Sequence, residues 1–253
     1  KEEKWTEEEM RERDQEIRMI EALQAMDRLA DKPVVIANHP ARSATGLGEY
    51  GDTDPHELRN WNDAAPEVSV GMEGAPGHQA GPLSTNPAPR GWYFDYPTMG
   101  GFDQLAARLG GFWDAMLGEG RRWWITANSD SHRHYSEGGV AFWPGEYPKT
   151  YVFARKNHAS ILESLRRGKI FVTTGDLISE LYVDVTDVKG ESGLAEIGGT
   201  IILSTPGDVK IRIRARDPLG SNHNDDNPEV ARIDLIVGHV TGVSDDRTLD
   251  VNE

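Results

Sequence analysis

The stretch WWITANSDSH, residues 123–132, decides how the chain is read. A run of aromatic, β-branched and small residues turns abruptly polar at Asn128, which marks a strand whose end carries polar chemistry. In extended backbone, residues i and i+2 point to one side. Asn128, Asp130 and His132 therefore line up, and His134 joins them only where the chain stays extended. A carboxylate beside an imidazole suits a divalent ion such as zinc, manganese or iron. Asn128 then serves as an orienting hydrogen-bond partner. The plainer alternative is that Asp130 and Ser131 cap a turn and the histidines lie on a loop surface.

Outward from this stretch the same pattern repeats. Pro33 sets off VVIAN (34–38), an apolar run typical of a strand buried on both faces, which ends in His39-Pro40-Ala41-Arg42. VSVGMEG (68–74) brings Glu73 to another strand end, with His78 in the glycine-rich loop that follows. TYVFA (150–154) and IFVTTGD (170–176) read as two further strands. Between them NHASILESLRRGK reads as a helix, with Gly168 as its C-terminal cap. Residues 6–31 read as one helix opened by a Thr6–Glu9 capping box, with Ile17, Ile20, Leu23, Met26 and Leu29 as its stripe. A helix around 102–118 places Leu105, Leu109, Phe112 and Met116 on one face.

Strands alternating with helices predict an α/β layer or barrel with parallel strands, its functional residues at the strand ends. After residue 178 the helices cease. SELYVDVTDV, GGTIILST, DVKIRIRARD and ARIDLIVGH read as strands of a small antiparallel β module. The expected division is thus 1–178 and 179–253.

The 253 residues carry 27 Lys+Arg against 42 Asp+Glu, a net charge of −15. That balance argues against nucleic-acid or anionic-membrane partners, which need a cationic surplus. It leaves room for an anionic small molecule, because bound metal inverts the local field. Cysteine is absent, so disulfides and thiolate metal sites are excluded, and cytoplasm and periplasm both stay open as compartments. No apolar run is long enough for a membrane-spanning helix. The opening Lys1 and the closing TLDVNE read as cuts within a longer chain.

The strand-end motifs ANHPAR and ANSDSH, in that order, resemble those of the PHP (polymerase and histidinol phosphatase) superfamily of metallohydrolases. The resemblance covers roughly residues 33–178. It implies a distorted, seven-stranded, TIM-like β/α barrel holding two or three divalent metals, typically zinc, manganese or iron. It also implies hydrolysis of a small-molecule phosphoester, with a carbamate or carboxylester as the alternative substrate. By the same resemblance His39, Asp130 and His132 are the metal ligands. The family pattern opens with a His-x-His strand, and no histidine precedes His39 here. A barrel portion lacking its N-terminal strands is the favoured explanation. A degenerate, non-catalytic barrel whose β module binds a glycan or a protein is the competing one.

Among weaker candidates, Arg42 is placed to clamp an anionic oxygen in the reaction, or else to form a surface salt bridge. Glu73 and His78 are candidates for substrate binding, with Glu73 alternatively contacting metal or holding a ligand histidine. His56 belongs to a candidate lid, although Asp54 or Thr53 capping a helix that starts at Pro55 explains that stretch without function. Trp92, Tyr93, Trp123 and Trp143 read as packing residues. SNHNDDNPE (221–229) lacks EF-hand spacing and reads as a hydrophilic loop.

Overall fold

The computed structural model describes residues 6–76, 98–99, 101–131, 143–190, 192–223 and 225–250. His78, Trp92, Tyr93, His132 and His134 lie outside the described residues.

The fold is mixed α/β with both parallel and antiparallel sheets, and the strands among the described residues do not close into a barrel. At its centre three parallel strands pair in the order β1 (Val35–Ala37), β2 (Ser69–Pro76), β3 (Trp124–Asn128). All eight residues of β2 are buried, as expected for a central strand covered on both faces. β1 is shorter than the apolar run suggested, and only Ala37 is fully buried. Gly71 sets how closely β3 approaches, since a Cβ there would fall 2.0 Å from the Trp124 carbonyl oxygen. A register shift between Glu73 and Ala75 bulges β2 at Gly74, whose carbonyl accepts from the Asp103 N–H at 2.7 Å.

The helices are more broken than the sequence pattern predicts. The N-terminal helix divides into α1 (Glu7–Arg13) and α2 (Glu16–Asp27), although the Thr6–Glu9 capping box forms as read. Residues 55–64 form α3 (Pro55–Ala64), with Asp54 as the N-cap accepting from the Glu57 N–H at 2.8 Å. The expected helix over 102–118 becomes α4 (Gln104–Ala107) and α5 (Phe112–Gly118). Gly110, at φ +71°, interrupts them and turns Leu109 out to 73% exposure, whereas Leu105, Phe112 and Met116 stay in the core. Trp123 is buried beside Phe112, the rings edge to face at 6.5 Å.

β4 (Lys149–Val152), α6 (His158–Arg166) and β5 (Ile170–Thr173) correct the expectation of parallel pairing. β4 and β5 run antiparallel, because the helix is an excursion from one end of the pair. The chain leaves at Phe153 and returns at Lys169, where the Phe153 N–H donates to the Lys169 carbonyl at 2.9 Å. Gly168, at φ +67°, ends α6 as its sequence position predicts. A side chain of β4 bonds the pair to the central sheet. The Thr150 hydroxyl accepts from the Ala127 N–H and donates to the Ala127 carbonyl, each at 2.9 Å.

Beyond residue 178, β6 (Glu180–Asp187), β7 (Leu194–Ala195) and β8 (Val209–Arg216) form an antiparallel sheet in the order β7-β6-β8. GGTIILST and ARIDLIVGH were expected as strands, yet neither forms a ladder among the described residues. Strand propensity reflects fit to a pleated, partnered surface, and these segments find none here; Val237 is 74% exposed. The chain after 240 instead returns to the first part of the molecule. Thr241 N–H donates to the Gly118 carbonyl at 2.8 Å, and Arg108 pairs with Asp250 at 2.6 Å.

That return is held by a buried cation. Arg59 Nε donates to Glu119 at 2.7 Å, both side chains fully buried, while Nη1 donates to the carbonyls of Arg247 and Leu249 at 2.8 and 2.7 Å. Arg121 donates to the other Glu119 oxygen at 2.6 Å and also pairs with Asp63. Arg247 reaches Asp63 at 2.7 Å. Replacing Glu119 with Gln strips the countercharge from Arg59 and Arg121 together. Breaking a buried pair in this way costs about 3–5 kcal/mol, which urea unfolding of Glu119→Gln will show as a lowered midpoint.

Burial works against the Asp63 charge, yet hydrogen bonds from Arg121 and Arg247 outweigh it and lower its pKa below the ordinary 3.8. A lowered folded-state pKa stabilises above the ordinary value and is lost as pH falls through the lowered one. The stability gap between wild type and Asp63→Asn is therefore expected to be full above pH 3.8 and to shrink below it, as read from denaturant midpoints across a pH series.

Candidate functional site

The parallel sheet brings the C-terminal ends of β1, β2 and β3 side by side, and one carboxylate joins all three. Glu73, 3% exposed, accepts from the His39 backbone N–H through Oε2 at 2.9 Å. Its Oε1 accepts from the Asn128 side-chain amide at 2.8 Å. His39 and Asn128 thus lie within the span of a single carboxylate although 89 positions separate them in the sequence. Of the readings made for Glu73, holding a candidate ligand histidine in place is the one its hydrogen bonds match. Its oxygens face a backbone amide and a side-chain amide inside the protein.

Backbone conformation is unusual at the two strand ends that carry candidate ligands. His39 has φ +29° and Asp130 has φ +50°, left-handed values that a side chain with a Cβ rarely adopts. Each such residue costs about 1–3 kcal/mol and persists where surrounding contacts over-determine it. At His39 those contacts are visible. The His39 N–H is fixed by Glu73, and the His39 carbonyl accepts from the Arg42 N–H at 3.0 Å, closing the turn that carries Arg42. Both His39 and Arg42 are half-buried.

Two residues that the sequence reading passed over hold the loop behind this turn. Asp103 is fully buried; Oδ2 accepts from the Ala41 N–H at 3.1 Å and Oδ1 from the Leu105 N–H at 2.8 Å. Gln104 accepts from the Gly48 N–H at 2.6 Å and donates to the carbonyls of Gly46 and Glu49 at 3.1 and 3.2 Å. The only sequence signal for Asp103 is its place before a short helix, as an N-cap. Nothing local announces that its second oxygen reaches 62 residues back.

Asp130 is half-buried directly beyond β3, at the same C-terminal end of the parallel sheet as His39. The described residues supply one imidazole and one carboxylate of the expected donor set, ligand types that suit zinc, manganese or iron. Among the described residues no group of three or more His, Asp or Glu side chains is assembled for a metal ion; His132 falls outside them. His56 sits in the first turn of α3, its ring nitrogens 3.5 Å from the Asn60 amide. Asp176, with φ +58°, pairs with Lys149 at the turn after β5, as a turn residue should.

Comparison with protein-family models, with curated proteins and with solved structures finds no match to this chain.

Glu73→Gln replaces one acceptor oxygen with a donor that faces a donor. Losing a charge-assisted hydrogen bond costs about 1.5–3 kcal/mol. Lower stability together with faster exchange of the His39 amide is the expected result, measured by denaturant unfolding and hydrogen exchange. An unchanged His39 exchange rate removes Glu73 as the tie.

Proposed function

We propose that the chain is a metal-dependent hydrolase, with a phosphoester as its substrate class. The observation that carries this reading is that β1, which leads into His39, and β3, which leads into Asp130, finish at the same C-terminal end of a parallel sheet. Each of the two residues is held at positive φ, and the two strand ends are joined through Glu73 and Asn128. Left-handed backbone at two strand-end donors, shared with the turn residues Asp176 and Asp225, is compatible with a site whose geometry the surrounding contacts fix. The order of the His-Pro and Ser-Asp-x-His motifs, with their resemblance to the PHP superfamily, supports the same reading and its distorted β/α barrel.

In this reading His39 and Asp130 hold metal, and His132 completes the set or contacts a phosphoryl oxygen. A divalent metal bound there would supply a hydroxide nucleophile near neutral pH and offset charge on a phosphoryl group. The chain's own residues do the positioning. Glu73 fixes the His39 backbone, so the imidazole leaves its turn in one direction. Asn128, tied to the same carboxylate, fixes the end of β3 from which Asp130 projects. Arg42, one turn from His39, offers a planar guanidinium to an anionic oxygen.

Elemental analysis of the intact purified protein, paired with phosphatase and esterase panels, tests the proposal. Bound transition metal with phosphatase activity is the expected outcome, and Asp130→Ala is expected to lose at least part of that metal while keeping its unfolding midpoint. Full metal content in Asp130→Ala refutes Asp130 as a ligand. A metal-free wild type without activity on either panel ends the hydrolase reading.

A further inference from the structure

A concavity lies away from the strand ends, between the β4–β5 pair and the β7-β6-β8 sheet. Its volume is about 400 Å³, and its walls include Phe153, Lys169, Tyr182, Asp184, Leu194 and Glu196. That volume falls within the range of about 300–1,000 Å³ typical of small-molecule sites. Phe153 and Tyr182 keep 37% and 41% of their surface exposed.

We propose that this cleft binds a neutral sugar ring, stacked on Tyr182 and hydrogen-bonded by Asp184, Glu196 and Lys169. Three observations favour that ligand. The two wall rings stand 6.0 Å apart at 55°, so they cannot sandwich a flat aromatic ligand between parallel faces. The 41% of Tyr182 that stays exposed instead suits the aliphatic C–H face of a pyranose, whose weakly positive hydrogens meet the negative π surface. The ionised groups are of both signs: Lys169 stands against Asp184 and Glu196, and Arg214 lies 3.8 Å from Asp184. No net field therefore selects an anion or a cation, while donors and acceptors are both at hand for hydroxyl groups.

The cleft is built rather than incidental. The Arg214 guanidinium lies 5.0 Å from the Tyr182 ring centroid and steadies that ring. Phe153 leans on Phe171 at 5.9 Å, and Phe171 stacks on Tyr151 at 4.5 Å. The turn bearing Glu196 is seated on the end of α6. Gly198 there has φ +75°, and a Cβ on it would fall 2.6 Å from the Arg167 carbonyl oxygen. Only glycine permits that approach.

Saturation-transfer NMR on the intact chain tests the proposal. The probes are neutral trisaccharides of glucose and of N-acetylglucosamine, with trigalacturonic acid as the anionic counterpart. Saturation transfer to a neutral trisaccharide is expected, with affinity falling about tenfold in Tyr182→Ala and staying within about twofold in Tyr182→Phe, which keeps the ring. Thermal unfolding of each variant accompanies the titrations. Should Tyr182→Ala fail to fold, Asp184→Asn takes its place, with weaker binding again expected. Absence of transfer to both neutral probes, transfer to the anionic probe alone, or undiminished binding by the folded variant overturns the assignment.

Discussion

Everything at the strand ends depends on one buried carboxylate. Glu73 sits on the central strand, so its two oxygens can reach a neighbour on either side, the His39 amide and the Asn128 amide. No edge-strand residue could do the same. A buried charge is tolerable only when hydrogen bonds replace its water. The requirement also works in reverse, because satisfying Glu73 obliges the turns after β1 and β3 to approach. The left-handed backbone at His39 follows from that demand, since the amide must face the carboxylate while the chain reverses direction into Pro40.

The opposite ends of the same strands are fixed by a cation. Arg166, near the end of α6, donates to the Glu67 carbonyl at 2.7 Å and the Lys32 carbonyl at 3.0 Å, gathering the residues that lead into β2 and β1. The Trp124 indole N–H donates to the Arg166 carbonyl at 3.1 Å and adds β3 to the group. An anion at one end and a cation at the other thus set the spacing of three strands. Helix–strand packing supplies the apolar filling between them, with Leu58, Met72, Leu105, Phe112, Met116 and Trp123 in one cluster.

Much of the central sheet was legible from the sequence because its signals are local. Apolar runs ending in polar residues mark β1, β2 and β3, and capping chemistry marks Thr6, Asp54 and Gly168. The direction of β5 was not legible, since a strand–helix–strand pattern is the same whether the helix crosses over or returns to its starting end. Leu109 matched the helical period, but Gly110 and Gly111 broke the helix that would have buried it. Within the candidate site, His39, Asn128, Asp130 and Glu73 were all visible as strand-end polar residues. Asp103 and Gln104 were not, because their partners lie some 55 to 62 positions away and side-chain reach leaves no mark in composition or periodicity.

The Arg59 cluster bears on where the polypeptide can be divided. A cut near residue 178, natural from the change in strand and helix pattern, leaves the guanidinium in one fragment. Its carbonyl acceptors at Arg247 and Leu249 go with the other. The N-terminal fragment then exposes a socket shaped for a returning peptide, and the C-terminal fragment carries a tail with nowhere to dock. The two parts are thus tied across a long sequence separation by a buried guanidinium, not by the chain that joins them near residue 178.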